Sequence, residues 1–583
     1  MTPREVEEAP PSPRTVVAWP GAAWRDPPPG PARPRRPPTR GPRGGLLLLG
    51  VLVALGLAAA LAVGARAAYY AWTMLVPADG GQYVEATAGQ PDALNPLLGQ
   101  QDPADREYLP LLFAGLVRLG PDGQAVPDLA ERWDVSPDGR TYTFYLRPGL
   151  RWSDGSPLEA ADVAFTYDAL AAPDFPADAD FLAPWREVHA EAVDPRTVRV
   201  SLTLPWAGFL EAATLGIVPR APLQGVRGRD WLSAPFNLAP IGAGPYRVVD
   251  FTAQELVLAP NERYYGPGPH LTDVRFRFYE TAAAAQQAVV AGEADGVALR
   301  GGGDLAALRA NPELAVYQRP DYARGVMLWL NATAAPFDDK AVRAAAAQAI
   351  NRDALVAALG GTGEPARGPL PPTDWAYAAD APYPTYAPQR AAALLDGAGW
   401  RQGPGGERLK GSAPLSVTLT TNDDPARQTA ADAVARDLKV VGFRVQVETK
   451  PWAELARDEL AQRKFQAVVL GQWTPTVDPD GLRDLWGSDG VANLAGWRNP
   501  RADELLLHGA ALVDPAARGA AYADFQRLWA DEAPSVPLYY PLLTWATRAE
   551  YQGIDLAPLP TADDRLSALP AWYLRTSRVF RGW

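Results

Sequence analysis

Apolar side chains fill every position from Leu46 to Ala65, a 20-residue run of Leu, Val, Ala and Gly. At about 1.5 Å per residue, a helix of that length covers roughly 30 Å, the hydrocarbon thickness of a bilayer. Core helices of soluble domains keep a polar face, so the run predicts a transmembrane helix. Farther along, the pattern changes to short alternating stretches. Leu415–Thr421 and Phe443–Glu448 alternate with a period of two and predict strands. Between them Ala430, Ala433, Val434, Leu438 and Val441 recur at helical spacing, and Gly442 supplies a stop. Trp452–Ala461 reads as a second helix and Phe465–Leu470 as a third strand. A β-α-β-α-β order predicts a parallel sheet covered by helices. A similar unit occurs earlier: strand over Leu271–Tyr279, helix over Ala282–Ala291, strand over Gly296–Leu299. Two such regions predict two lobes rather than one continuous sheet.

In open α/β sheets, ligands sit outside the carboxyl ends of the strands. That rule points to Ala88-Gly89-Gln90 after a strand at Tyr83–Thr87, to Thr421-Asn422, and to Gln472-Trp473-Thr474.

The flanks orient the apolar run. Arg33, Arg35, Arg36, Arg40 and Arg43 precede it and only Arg66 follows closely, which places the N-terminus in the cytoplasm. Tyr69, Tyr70 and Trp72 suit the outer interface. Residues 1–44 hold 13 of the 60 prolines and eight arginines against four acids, which predicts a disordered cytoplasmic tail. Residues 45–76 then form the anchor and juxtamembrane segment, with the main domain outside. Ala65-Arg66-Ala67 is also a small-x-small cleavage pattern, so a cleaved leader is the alternative.

Composition narrows the chemistry. The 583 residues include no cysteine, which excludes disulfides, thiolate chemistry and a lipid anchor through cysteine. Three histidines leave little for imidazole catalysis. The net charge is −12; the tail contributes +4, which leaves −16 for the remainder and argues against nucleic-acid binding. Neither a Gly-x-Ser-x-Gly nor a His-Glu-x-x-His motif is present, so no enzyme, metal site or cofactor is expected. Gly242-Ala243-Gly244 is followed by Pro245, which removes an amide that a phosphate loop needs.

Residues 121–167 are rich in turns around strands. They run from Pro121-Asp122-Gly123 through Ser136-Pro137-Asp138-Gly139 to Arg151-Trp152-Ser153-Asp154-Gly155. This stretch resembles the signature of the family 5 extracellular solute-binding proteins, which serve peptide, oligopeptide and nickel ABC importers. Asp92–Leu97, Phe113–Val117, Ile241–Tyr246, Ala291–Asp295, Pro336–Arg343 and Ala392–Trp400 match in the same order, so the resemblance covers residues 82–550. It implies an α/β, two-lobed fold of the periplasmic-binding-protein type II kind. Lobe I would span 82–315, lobe II 316–535, and 536–583 would return to lobe I. Closure of the lobes on a peptide or other small solute would precede delivery to permease and ATPase subunits. A ligand sensor built on the same receptor is the alternative.

The resemblance also implies site residues. In peptide-binding members an aspartate shortly after the Trp-Thr of the third lobe II strand pairs with the peptide's amino terminus. Counted from Trp473 that position is Thr476, whose hydroxyl cannot make a charge-assisted bond to an ammonium. Asp478 is either the substitute anion or the cap of a helix beginning near Gly481. Gly89 and Gln90 occupy positions that contact peptide backbone in the family. Trp473 and Thr474 satisfy both the resemblance and the strand-end rule. Trp375, Tyr377, Trp329 and Trp497 are candidates for an aromatic pocket.

Overall fold

A computed structural model describes residues 43–99, 103–120, 123–203, 206, 208–300, 303–473, 478–512, 514–555 and 562–580. The tail over 1–42, Thr474 and Thr476 lie outside the described residues, as does the side chain of Trp473. The chain divides into two compact units: residues 1–74 with 579–583, and residues 75–578.

In the first unit a single helix, Arg43–Trp72, takes up the whole apolar run and continues beyond it. No proline interrupts residues 43–72, and Ala67 and Ala68, both good helix formers, follow Arg66. Leu47–Trp72 is long and apolar enough to cross a membrane, and none of it is buried.

In the second unit the strands form where alternation predicts them. Gln82–Ala88 lies parallel to Asp273–Tyr279 on one side and to Gly296–Arg300 on the other. Helix Ala282–Val290 crosses between those two partners, its N-terminus capped by the Thr281 hydroxyl, which accepts from the Ala284 N–H at 3.1 Å. Farther along, Ser416–Asn422 lies parallel to Arg444–Lys450 and to Ala467–Trp473. Helix Pro425–Val440 covers this sheet, starting at an Asp424 cap with proline at the first helical position. Its Ala430, Val434 and Leu438 pack with Leu419 and Val469 of the strands. Gly442 ends the element at φ +98°, a conformation a Cβ disfavours.

Where the pattern predicts two separate sheets, one ladder of twelve strands runs through both regions. The link is Ser535–Arg548, a 14-residue strand long enough to belong to both. Its first half pairs with Arg324–Leu330 and Gly363–Pro365; its second half pairs with Leu314–Pro320 and Gly296–Arg300. The chain therefore passes between regions twice, at 321–323 and at 541–542. The passages are adjacent, since the Asp321 N–H donates to the Pro541 carbonyl at 2.8 Å.

A separate antiparallel sheet carries the 121–167 motif. Its order is Ala130–Val135, Thr141–Leu146, Thr197–Leu202, Val188–Asp194, with helix Ala160–Ala171 beside it. The Gly242-Ala243-Gly244 run is a packing device. A Cβ on Gly242 would lie 1.9 Å from the Leu112 carbonyl oxygen, so only glycine lets the two backbones meet.

Candidate functional site

The 18-residue helix Pro515–Glu532 directs Arg518, Tyr522, Phe525, Gln526 and Trp529 inward at helical spacing. Of these, Arg518 is the one charged side chain on a face otherwise made of aromatic residues and the Gln526 amide. Its guanidinium donates to both carboxylate oxygens of Asp478, at 2.7 and 2.5 Å, and to Asp480 Oδ1 at 2.6 Å. The Tyr522 hydroxyl also donates to Asp480. Asp478 Oδ1 in turn accepts from the Asp480 N–H at 2.9 Å, which caps the turn Pro479–Gly481. The Trp375 ring lies under the same guanidinium, 5.3 Å from centroid to carbon. Asp478 and Trp375 thus meet around an arginine that the residue patterns did not single out.

Two further carboxyls stand close by. Asp374, beside Trp375, is 6% exposed; its Oδ1 accepts from the Ala376 N–H at 2.7 Å and its Oδ2 has no hydrogen-bond partner among the described residues. Burial pushes its carboxyl up to about 7, the Asp478 charge adds to this, and the Ala376 N–H and Arg518 oppose it. Glu211 comes from the other region, on the short helix Phe209–Ala212. Burial holds its carboxyl well above the usual range, reinforced by Asp478, Asp374 and Asp480, with Arg106 opposing. Burial also raises Asp478, against which Arg518 pulls. A chelating guanidinium satisfies both oxygens, so we treat this pair as an ion pair.

The two regions touch at this point. A Cβ on Gly208 would lie 3.1 Å from Asp478 Cγ and 3.1 Å from Trp206 Nε1, so the missing side chain permits the approach. Trp206 belongs to an aromatic group with Trp185 and Phe209, and Tyr142 joins it through Phe209 at 4.8 Å between centroids.

The other expected residues are more dispersed. Gly89 and Gln90 are exposed at the carboxyl end of Gln82–Ala88; Gly89 has φ +83° and donates its N–H to the Tyr279 carbonyl at 2.9 Å. Tyr377 stacks on Tyr383 at 5.9 Å, whose hydroxyl donates to Gln526 at 2.6 Å. Trp497 is 3% exposed in a core with Trp486 and Trp529, and Trp329 stacks on Trp486 at 5.2 Å in the same core. The strand Ala467–Trp473 ends on the backbone of Trp473.

The family model described as bacterial extracellular solute-binding proteins, family 5, matches residues 124–493. Protein XP55 of Streptomyces lividans is 33% identical over 464 residues, covering 76% of this chain and 80% of its own length. The dipeptide-binding protein of Escherichia coli strain K12 is 25% identical over 508 residues, 82% of this chain and 92% of that protein. Among solved structures, the oligopeptide-binding protein AppA of Bacillus subtilis, in complex with a nonapeptide, superposes with a TM-score of 0.67 at 26% identity. It covers 86% of this chain and 100% of that one. The substrate-binding protein CtaP of Listeria monocytogenes shares the fold at a TM-score of 0.73 and 23% identity, over 85% and 99% of the two chains. These are two-lobed type II periplasmic binding proteins, and they bind solutes rather than transform them. The family works outside the cytoplasm and delivers peptides or other solutes to ABC importers. With the family model matching residues 124–493, more than half of the chain, and a relative 33% identical over 76% of it, this chain belongs to the bacterial extracellular solute-binding proteins, family 5.

Proposed function

We propose that this chain is a membrane-tethered receptor that captures a peptide-like solute between its lobes and hands it to the permease and ATPase of an ABC importer. The observation that carries the reading is the pair of adjacent passages at 321–323 and 541–542. Two short links side by side leave the lobes one easy axis of rotation, which is the geometry of hinge closure. Ligand binding then biases the equilibrium toward the closed form by the extra contacts made there. The helix over Leu46–Ala65 serves as the tether, with the N-terminus cytoplasmic and the lobes outside, since the cysteine-free chain has no lipid attachment point.

The peptide-like character rests on relatives such as the dipeptide-binding protein of Escherichia coli. In our reading Gly89 and Gln90 offer backbone and amide contacts from lobe I. Trp375 and Tyr377 face the solute from lobe II, Trp497 supports that wall from within, and Trp473, Thr474 and Thr476 remain the proposed contacts that follow from their place in the sequence. Arg518 already engages both oxygens of Asp478, so in our reading any contact Asp478 makes with a solute amino group is shared with that arginine.

The test is native mass spectrometry of the full-length chain released from detergent, followed by calorimetric titration with a mixed tripeptide pool. A co-purifying mass of peptide size and a saturable heat are expected. A chain that carries no solute and gives no heat with any peptide pool would exclude the peptide reading.

A further inference from the structure

A strand, Thr73–Ala78, begins at the residue after helix Arg43–Trp72. Its one partner comes from the far end of the sequence: Arg575–Phe580 pairs with it in a sheet of two strands, apart from the sheets of the lobes. Val579 and Phe580 accordingly fall in the same compact unit as the helix. Two strands alone are marginal in water unless an apolar face is covered. Here the large apolar side chains are bare, with Trp72 68%, Met74 48% and Phe580 58% exposed. What covers them lies outside this chain.

Residue type and charge identify the cover. From Arg575 to Trp583 the sequence holds Arg575, Arg578 and Arg581, the aromatic residues Phe580 and Trp583, and no acid. This basic stretch stands in a chain whose remainder after residue 44 is strongly acidic. Arginine interleaved with Phe and Trp suits a lipid interface, the cations among headgroup phosphates and the rings at the acyl boundary. Reach agrees with this. Tyr69, Tyr70 and Trp72 suit the outer interface, and Met74 follows Trp72 by two residues, no more than about 7 Å of extended chain. The headgroup layer is itself about 5–8 Å deep. A second copy of the chain is a poorer cover, because a two-fold contact on this ribbon sets the same arginines of both copies against each other.

Resting on the tether reading above, we infer that the ribbon of Thr73–Ala78 and Arg575–Phe580 docks in the lipid interface beside the membrane helix. Trp72, Met74 and Phe580 enter the acyl boundary, and the arginines of 575–583 lie among the headgroups. The receptor is then held to the bilayer by its C-terminal strand as well as by the helix.

The cysteine-free chain takes a single environment-sensitive dye at a chosen position. The full-length protein, labelled at Met74→Cys, Phe580→Cys, Ser577→Cys or Val491→Cys, is placed in nanodiscs of phosphatidylcholine and phosphatidylglycerol. Quenching is compared between a lipid carrying a nitroxide high on its acyl chain and iodide in the water. The nitroxide lipid is expected to lower emission at Met74→Cys and Phe580→Cys about twofold or more, as insertion to the acyl boundary requires, with iodide having little effect. Val491→Cys, on the second lobe, should show the reverse. Ser577→Cys lies in the same strand and leaves Phe580 in place, so quenching there by the lipid carries the test where a dye at 580 disturbs the pairing. Lipid contact at Met74→Cys with iodide quenching at both C-terminal sites overturns the inference and leaves the tether standing. Iodide quenching at all four sites counts against the tether itself. C-terminal sites shielded from both quenchers also overturn the inference, in favour of a protein cover such as a second copy.

Discussion

Arg518 organises a buried polar cluster in the second lobe. It chelates Asp478, bonds Asp480 and lies on Trp375, at a side-chain exposure of 7%. Removing one partner of a buried ionic group strands the others. Arg518→Ala should therefore cost about 3–5 kcal/mol, read as a drop in the thermal midpoint, and Arg518→Lys should recover only part because it cannot chelate. Asp374 makes a prediction of opposite sign. Its carboxyl sits near 7 in the folded chain, above its unfolded value, so the folded state holds the proton more tightly. Its contribution is present at low pH and is lost as pH rises through that window. The stability of the unmodified chain relative to Asp374→Asn should thus fall between about pH 4 and pH 7 in chemical denaturation, and level off above. An unchanged difference across that range would remove the buried, proton-holding carboxyl from the account. Little of this constellation was legible in the sequence. Trp375 and Asp478 emerged from residue type and position, but Asp374, Glu211 and Arg518 lie far apart in the chain and only the fold brings them together. One signal was there to find: an arginine at an inward position of a helix otherwise lined by Tyr522, Phe525 and Trp529.

At the level of elements, periodicity did most of the work. The strands at 416–422, 444–450 and 467–473 and the helix Pro425–Val440 lie within three residues of where the apolar pattern and caps put them, because their buried positions recur at the period of the element. Local chemistry sets their strength. Asp424→Ala removes the side-chain acceptor for the Arg427 N–H and should cost about 1 kcal/mol. Leu438→Ala opens a fully buried site on the same helix and should cost about 2–5 kcal/mol; both are read from urea midpoints. The expected helix Trp452–Ala461 came out differently: an α turn at Trp452–Glu454 widens into a π-helical turn at Leu455–Leu460. The wider turn buries Leu455 and Glu459 together, with Glu459 accepting from Lys450 Nζ, a tertiary pairing that helical spacing cannot reveal. The continuous sheet escaped for a similar reason. Ser535–Arg548 is one mostly buried strand, and nothing in its residues says that its two halves pair with different regions.

For the whole molecule, the large divisions follow from composition. A basic tail, an uninterrupted apolar run and an acidic remainder are visible without any structure, and ordered motifs supply the family. A retained tether predicts that the chain stays with membranes through an alkaline wash and that its intact mass includes the residues before Ala67. A shorter, washable form would instead support cleavage at Ala65-Arg66-Ala67. The central claim is that solute capture closes one lobe on the other about the passages at 321–323 and 541–542, and the absence of native cysteine makes it directly measurable. Val193 and Val491 are exposed, 44% and 75%, on the antiparallel sheet and on the second lobe, so Val193→Cys with Val491→Cys gives two unique labelling sites. Single-molecule energy transfer between dyes at these positions should show a second, discrete distance that becomes populated as tripeptide is added and saturates with the binding heat. A titration that gives saturable heat while the distance distribution stays fixed would contradict lobe closure as the mode of capture.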